Sequence, residues 1–416
     1  MSVERPRLVA LGWHAPGTGF DRVLEAILSR LADRWEVHLA GIGHQGEELE
    51  RRGYRVHPTN RRGGGDSLGA YAARDLLAAL RPSAVLVLHD IWHMGRYELL
   101  LRTEGWPTRR AAYVPLDGEI VDPSVAAGLL RFDLVVAYCP WAREQIAGAW
   151  HRLGAATDWP ELIDIPHGLD TEAFRPLSPD RVAIKRQVFP GLENPERSFV
   201  VLNASRPAQR KRIDLTLAAF ARFARGKPPG VRLCLHWAVF TDHEIGEAIR
   251  LAGELGIADR LLLNPLTPKG GALTDEQLNR LYNACDVGLN TSMGEGWGLV
   301  SFEHAATGAP QVVPRHSACA GLWEGAAMLV EPVRRGVPPF SRLEMAEVDA
   351  VGVSAALEAL HADGELRGRI GDLGRRRAAD PSLSWGRVAD QWHRALSRAV
   401  PPPRSGSPAP TGLSAS

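Results

Sequence analysis

Two carboxylates flank a glycine-rich turn in the second half of this chain. The run is Glu295-Gly296-Trp297-Gly298-Leu299, and Glu303 follows. Before it, Asp286-Val287-Gly288-Leu289-Asn290 reads as a buried strand, and after it a helix is expected to end near Gly308. Glycine lets a ligand come close to the backbone. The N–H groups that open a helix face such a ligand, and the helix dipole favours an anion there. A nucleotide diphosphate suits that geometry, with Gly296, Gly298 and Leu299 lining it. Glu295, in the turn, could reach a sugar, and Glu303, further along, could accept hydrogen bonds from vicinal ribose hydroxyls. A second constellation is Asn203-Ala204-Ser205-Arg206-Pro207-Ala208-Gln209-Arg210-Lys211-Arg212-Ile213-Asp214. It crowds basic side chains at a strand end before a helix. Arginine and lysine neutralise charge that develops on a departing diphosphate. The bland alternatives are an ordinary strand-to-helix turn and a solvated basic loop.

The turn resembles the E-x7-E motif of retaining GT-B glycosyltransferases of family 4, down to Gly308-Ala309-Pro310 at its end. The basic segment resembles that family's G-R-x4-K-G-x-D pattern. By that match Arg206 and Lys211 inherit the diphosphate role, whereas Arg210 and Arg212 do not. Ile165-Pro166-His167-Gly168-Leu169-Asp170 … Phe174-Arg175-Pro176 resembles the family's I-P-N-G-V-D … F-x-P segment, with His167 in place of asparagine. Ser384 to Trp392 resembles its final helix, which crosses back to the first domain.

The resemblance implies an α/β GT-B fold: two Rossmann-like, doubly wound parallel-sheet domains facing across a cleft. It implies a retaining, metal-independent transfer from a UDP- or GDP-sugar, the donor being a substrate and no cofactor being needed. Glu295 would orient the donor sugar, and Arg206 and Lys211 would stabilise the leaving diphosphate. Leu266 would pack against the base. Gly17 and Gly19, after the first strand, would approach the diphosphate from across the cleft, although a plain tight turn also explains them. The chain departs from the family at Tyr113-Val114-Pro115-Leu116-Asp117-Gly118-Glu119. Many members carry a histidine at this strand end. Here Asp117 takes its place in the assignment, the plain alternative being a turn-forming Asp before Gly.

Apolar runs and helical patterns alternate in the order these motifs need. Strands are expected at Arg7 to Gly12, Trp35 to Ala40, Ala84 to His89, Arg110 to Pro115 and Leu134 to Tyr138. Helices are expected at Phe20 to Ala32, Glu47 to Arg52 and Tyr71 to Leu80. The second half repeats the theme with strands at Phe199 to Asn203, Arg232 to His236, Leu261 to Leu263, Val287 to Asn290 and Gln311 to Val313. Such alternation argues for parallel sheets covered by helices. The expected division is a first domain at 1–176, a nucleotide-sugar domain at 177–383, a returning helix at 384–400 and a disordered Pro/Ser-rich tail at 401–416.

Composition narrows the field. With 416 residues the chain is long enough for two cores, and a net charge of +1 argues against a general nucleic-acid binder. The four cysteines form no C-x-x-C pair, and the N-terminus lacks the apolar run of a signal peptide. A cytoplasmic protein is expected, with peripheral association at the inner membrane face left open and the oligomeric state unsigned. Gly41-Ile42-Gly43-His44-Gln45-Gly46 matches a dinucleotide fingerprint only literally. His89 and His93 are spaced for a shared metal, yet no third ligand has suggestive spacing, so no metal is expected. The partners expected are a nucleotide sugar and an acceptor bearing a hydroxyl, whether glycan, lipid-linked or small molecule. The alternatives are another GT-B enzyme (a nucleotide-sugar epimerase or an inverting transferase, with His14 or Asp117 as base) and a non-catalytic GT-B partner subunit.

Overall fold

A computed structural model describes residues 5–59, 66–100, 107–155, 159–177, 180–238, 240–266 and 272–398. The expected disordered tail, 401–416, lies outside them.

The first sheet is built from β1 (Arg7–Trp13), β2 (Glu36–Ile42), β3 (Leu49–Arg51), β4 (Tyr54–Pro58), β5 (Ala84–Leu88), β6 (Arg109–Val114), β7 (Leu134–Ala137) and β8 (Glu161–Asp164). Their order across the sheet is β3-β4-β2-β1-β5-β6-β7-β8. All neighbours are parallel except β3 and β4. Helices cover both faces of a parallel sheet, so its strands read as unbroken apolar runs. Ala84-Val85-Leu86-Val87-Leu88 is such a run, and all five are buried. The helix Gly19–Leu31 buries Val23, Leu24, Ile27, Leu28 and Leu31, the stripe that a 3.6-residue period lays on one side.

The second sheet holds β9 (Phe199–Asn203), β10 (Val231–Leu235), β11 (Leu261–Leu263), β12 (Val287–Leu289), β13 (Gln311–Pro314) and β14 (Met328–Val330). Its order, β11-β10-β9-β12-β13-β14, is that of the doubly wound nucleotide-binding fold. A small antiparallel hairpin, β15 (Arg334–Gly336) with β16 (Met345–Glu347), stands apart from it.

One expected element is overturned. Glu47 to Arg52 reads as a short helix from its strong helix formers. The structure instead places β3 there, paired antiparallel with β4 through a two-residue turn. Arg52 and Gly53 both take positive φ, 44° and 85°, which a tight hairpin requires. Pairing with a strand already docked in the sheet overrides local propensity.

The last helix, Trp385–Leu396, returns to the first sheet. Trp392 lies edge-on to Tyr113 at 4.8 Å, and the Trp35 indole N–H donates to His393 Nδ1 at 3.0 Å. Gly168 passes so close beneath Trp385 that a Cβ there would sit 2.6 Å from the indole ring. Leu169 N–H donates to the Leu383 carbonyl at 2.7 Å, so the two crossings of the chain between halves run side by side.

Candidate active site

In an open parallel sheet, ligands bind outside the carboxyl ends of the strands where the order reverses. In the second sheet that point lies between β9 and β12, whose ends carry the basic segment and the Glu295 turn. In the first it lies between β1 and β5, whose ends carry the Gly17 loop and Asp90. The two points face each other.

The basic segment is held from below. The Asn203 amide donates to Thr216 Oγ1 at 2.8 Å. Thr291 Oγ1 donates to the carbonyls of Lys211 and Arg212, each at 3.0 Å. A short turn, Gln209–Lys211, ends at Arg212 with φ 51°. That kink sends Arg212 away from the cleft, to Asp214 and Glu347. Lys211 points inward and pairs with Glu295. Glu295 is 5% exposed and also accepts from the Asn290 amide at 3.0 Å. Burial would raise its pKa, but the charges of Lys211 and Arg210 overcome that and hold it at about 2. Glu295 is therefore ionised at any working pH.

Arg210, given no part by the sequence, sits at the centre. Its Nε is 3.0 Å from Asp117 Oδ2, its Nη1 donates to the Gly294 carbonyl at 2.7 Å and lies 3.6 Å from Glu295. Asp117 is thus paired across the cleft. The contact is tight in the backbone too: a Cβ on Gly294 would lie 1.8 Å from the Asp117 carbonyl oxygen. Beside it, Glu119 and Glu344 exchange backbone hydrogen bonds at 2.8 and 2.9 Å, tying β6's exit to the β15–β16 hairpin. Arg206 is exposed, and among the described residues its side chain has no hydrogen bond or ion pair, which leaves its charge free for a ligand.

Glu303 lies on the helix Leu299–Ala306, opened by Gly298 at φ 91°. It is buried, and its charge meets Arg22 of the first helix and the Tyr282 hydroxyl. Gly17, at φ 88°, needs to be glycine on two counts, since a Cβ would also fall 2.8 Å from Ala272 Cβ across the cleft. A Cβ on Gly19 would meet nothing closer than Leu299 at 3.8 Å. A Cβ on Gly296 would come within 3.4 Å of Tyr138, and Leu266 packs half-buried on the core. His14, the alternative base, is 3.5 Å from Asp21 and beside Arg51.

The sequence reading missed Asp90. It follows the buried run of β5 directly, and that position at a strand's carboxyl end was the available signal. Burial, and then the charge of Asp117, lift its pKa to about 6 against the pull of Arg210 and Arg206. A carboxyl raised above its unfolded value costs stability once pH climbs through that folded value. Asp90→Asn is therefore expected to melt higher than the parent at pH 8, by on the order of 1–2 °C because solvent screens the site. The gap should close at pH 3.5, where both states hold the proton. A melting gap that stays constant with pH would contradict the assignment.

His89, Asp90 and His93 do converge, with ligand atoms within 4.8 Å of one another. His89 Nδ1, however, accepts the Asp90 backbone N–H at 2.8 Å. The neutral ring then carries its proton on Nε2 and has no lone pair left for an ion.

Known proteins resemble this chain in sequence and fold. Residues 237–394 match the family model described as glycosyl transferase-like. The MMP alpha-(1->4)-mannosyltransferase of Mycolicibacterium hassiacum is 25% identical over 76% of this chain and 71% of its own length. The D-inositol 3-phosphate glycosyltransferase of Segniliparus rotundus is 34% identical over 38% of this chain. The chain spans about a third, 32%, of that relative's length. Among solved structures, the sucrose-phosphate synthase of Thermosynechococcus elongatus superposes with a TM-score of 0.71 at 19% identity, covering 94% of this chain and 98% of that one. The chain has the GT-B fold, and its second half is similar to glycosyl transferases. The Anabaena protein HepE, solved with UDP and glucose, has the same fold, with a TM-score of 0.68 at 18% identity over 94% of this chain and all of its own. In this GT-B protein, among the described residues, no helix is long and apolar enough to cross a membrane.

Proposed function

We propose that this chain transfers a sugar from a UDP- or GDP-sugar to an acceptor hydroxyl, with retention of anomeric configuration and without a metal. The observation that carries the reading is the pairing of Lys211 with the buried Glu295, with the unpartnered side chain of Arg206 on the same basic segment, at the switch point of the second sheet and close in sequence to Glu303. A diphosphate entering there meets Arg206, Lys211 and the N–H groups that open the helix Leu299–Ala306. These stabilise the charge that develops as the glycosidic C–O bond to the diphosphate breaks. The acceptor oxygen bonds to the anomeric carbon on the same face, and its proton passes to a phosphate oxygen. Glu295 orients the sugar by accepting from its hydroxyls. Asp117 takes the place of the family's histidine by holding Arg210. The names of the curated relatives, inositol 3-phosphate and mannosylfructose-phosphate among them, favour a small polyol or sugar acceptor.

A second reading rests on Asp90. A carboxyl with a pKa near 6 at the cleft could serve as the general base of an inverting transferase. Proton NMR of the first product, before mutarotation, separates the two. Across a panel of UDP- and GDP-sugars, retained configuration that survives EDTA is expected. An inverted product moves the protein to the second reading. Absence of turnover together with absence of nucleotide binding would make it a non-catalytic partner.

A further inference from the structure

Arg22 stands in the first turn of the helix Gly19–Leu31, on the opposite side of the cleft from Glu303. Its guanidinium crosses that gap in a two-pronged contact: Nη2 is 2.9 Å from Glu303 Oε1, and Nη1 is 3.3 Å from Oε2. Nη2 also lies 3.0 Å from Asp275 Oδ1, and the group sits 5.5 Å over the Phe174 ring. From the other flank the Tyr282 hydroxyl donates to Glu303 Oε2 at 3.0 Å. An ionised carboxylate offers about four lone-pair directions. Two of them are filled here, both on Oε2, while Oε1 lies within ion-pair reach of Nη2. That leaves Oε1 as the oxygen open to the ribose hydroxyls expected from the sequence.

We propose that Arg22 is a positioning residue for the donor nucleotide: it fixes the Glu303 carboxylate so that Oε1 is turned to receive the ribose hydroxyls. The inference rests on the reading of Glu303 as the ribose acceptor. It adds that the first domain takes part in ribose recognition through a residue that need not touch the nucleotide. Recognition is thereby linked to closure, because the pair forms only when the two domains meet.

The electrostatics agree with the geometry. Burial pushes the Glu303 carboxyl up and Asp275 adds to this, whereas Arg22 and Tyr282 oppose. The balance leaves Glu303 above its ordinary value, with Arg22 the largest influence holding it down. Arg22 of the first helix and Asp275 of the helix Asp275–Ala284 are the charges acting on it, and Tyr282 of that second helix acts through its hydrogen bond. Without the guanidinium the carboxyl would gain its proton at a higher pH, and its capacity to accept would go with it.

Calorimetric titration of UDP, GDP and ADP between pH 5 and 9 tests this on the parent, Arg22→Met, Arg22→Lys and Glu303→Gln. Arg22→Met is expected to bind the preferred nucleotide about tenfold more weakly at pH 6 and to recover much of the loss by pH 9. Arg22→Lys should bind between the two. Glu303→Gln should be weak throughout, and its slope with pH gives the titration of the phosphate alone. Binding by Arg22→Met that equals or exceeds the parent would overturn the proposal, the contact then being a latch that the nucleotide must break. A loss in Arg22→Met that is the same at every pH would overturn it too, as a merely structural effect. If Arg22→Met does not fold, the sign of the pH dependence in Arg22→Lys decides. A parent that binds none of the three nucleotides overturns the reading of Glu303 itself, and this inference with it.

Discussion

Lys211→Ala is expected to lower kcat/KM by about a hundredfold or more, since losing one charge-stabilising contact at a leaving group costs about 3 kcal/mol. The amine does two things in this fold. It is aimed at the place where the diphosphate is read to sit, and it neutralises Glu295 in a buried setting. Removing it leaves that carboxylate to Arg210 and the Asn290 amide. Stability should therefore fall along with turnover. The double variant Lys211→Ala, Glu295→Gln separates the two roles. It should melt close to the parent, because the orphaned charge is gone, yet remain slow. Steady-state rates with melting curves on all three proteins check this, and near-normal turnover in Lys211→Ala would remove the residue from the mechanism.

Gly294→Ala should abolish most activity for a different reason. The added methyl would fall 1.8 Å from the Asp117 carbonyl oxygen, which is backbone and cannot swing aside. Inserting one methyl into a packed interior costs roughly 1–3 kcal/mol, and more where nothing yields. Here the collision lies on the seam between the halves, so the strain can be relieved by parting them. The expected result is a fall in turnover of at least about tenfold, with Tm lowered by only a few degrees. Small-angle scattering should show a wider molecule. A variant that stays compact and active would mean that the Asp117 strand end can give way.

The parts of the site that were legible in the sequence are those contained in one short stretch. Glu295, the glycine turn and Glu303 lie within a single strand-turn-helix, and Arg206 and Lys211 within another, so spacing alone fixes their relation. The parallel sheets were legible for the same reason, through unbroken runs such as Ala84 to Leu88. What could not be read depends on pairs far apart in the chain. Arg22 and Glu303 are separated by 281 positions, and Arg210 meets Asp117 only because two strand ends converge. Asp90 carries no motif, and its unusual proton affinity exists only once the cleft has buried it. The misread segment before Tyr54 had helix-forming side chains and a partner strand that local propensity cannot see.

The backbone bridge between Glu119 and Glu344 has a mechanical consequence. The two halves are joined by the paired crossings near Leu169 and Leu383, and again, at a separate place, by this bridge. A body held to another at two points keeps a single free rotation, about the line through them. While both attachments last, the cleft cannot gape like a jaw. It can only swing like a door on two hinges.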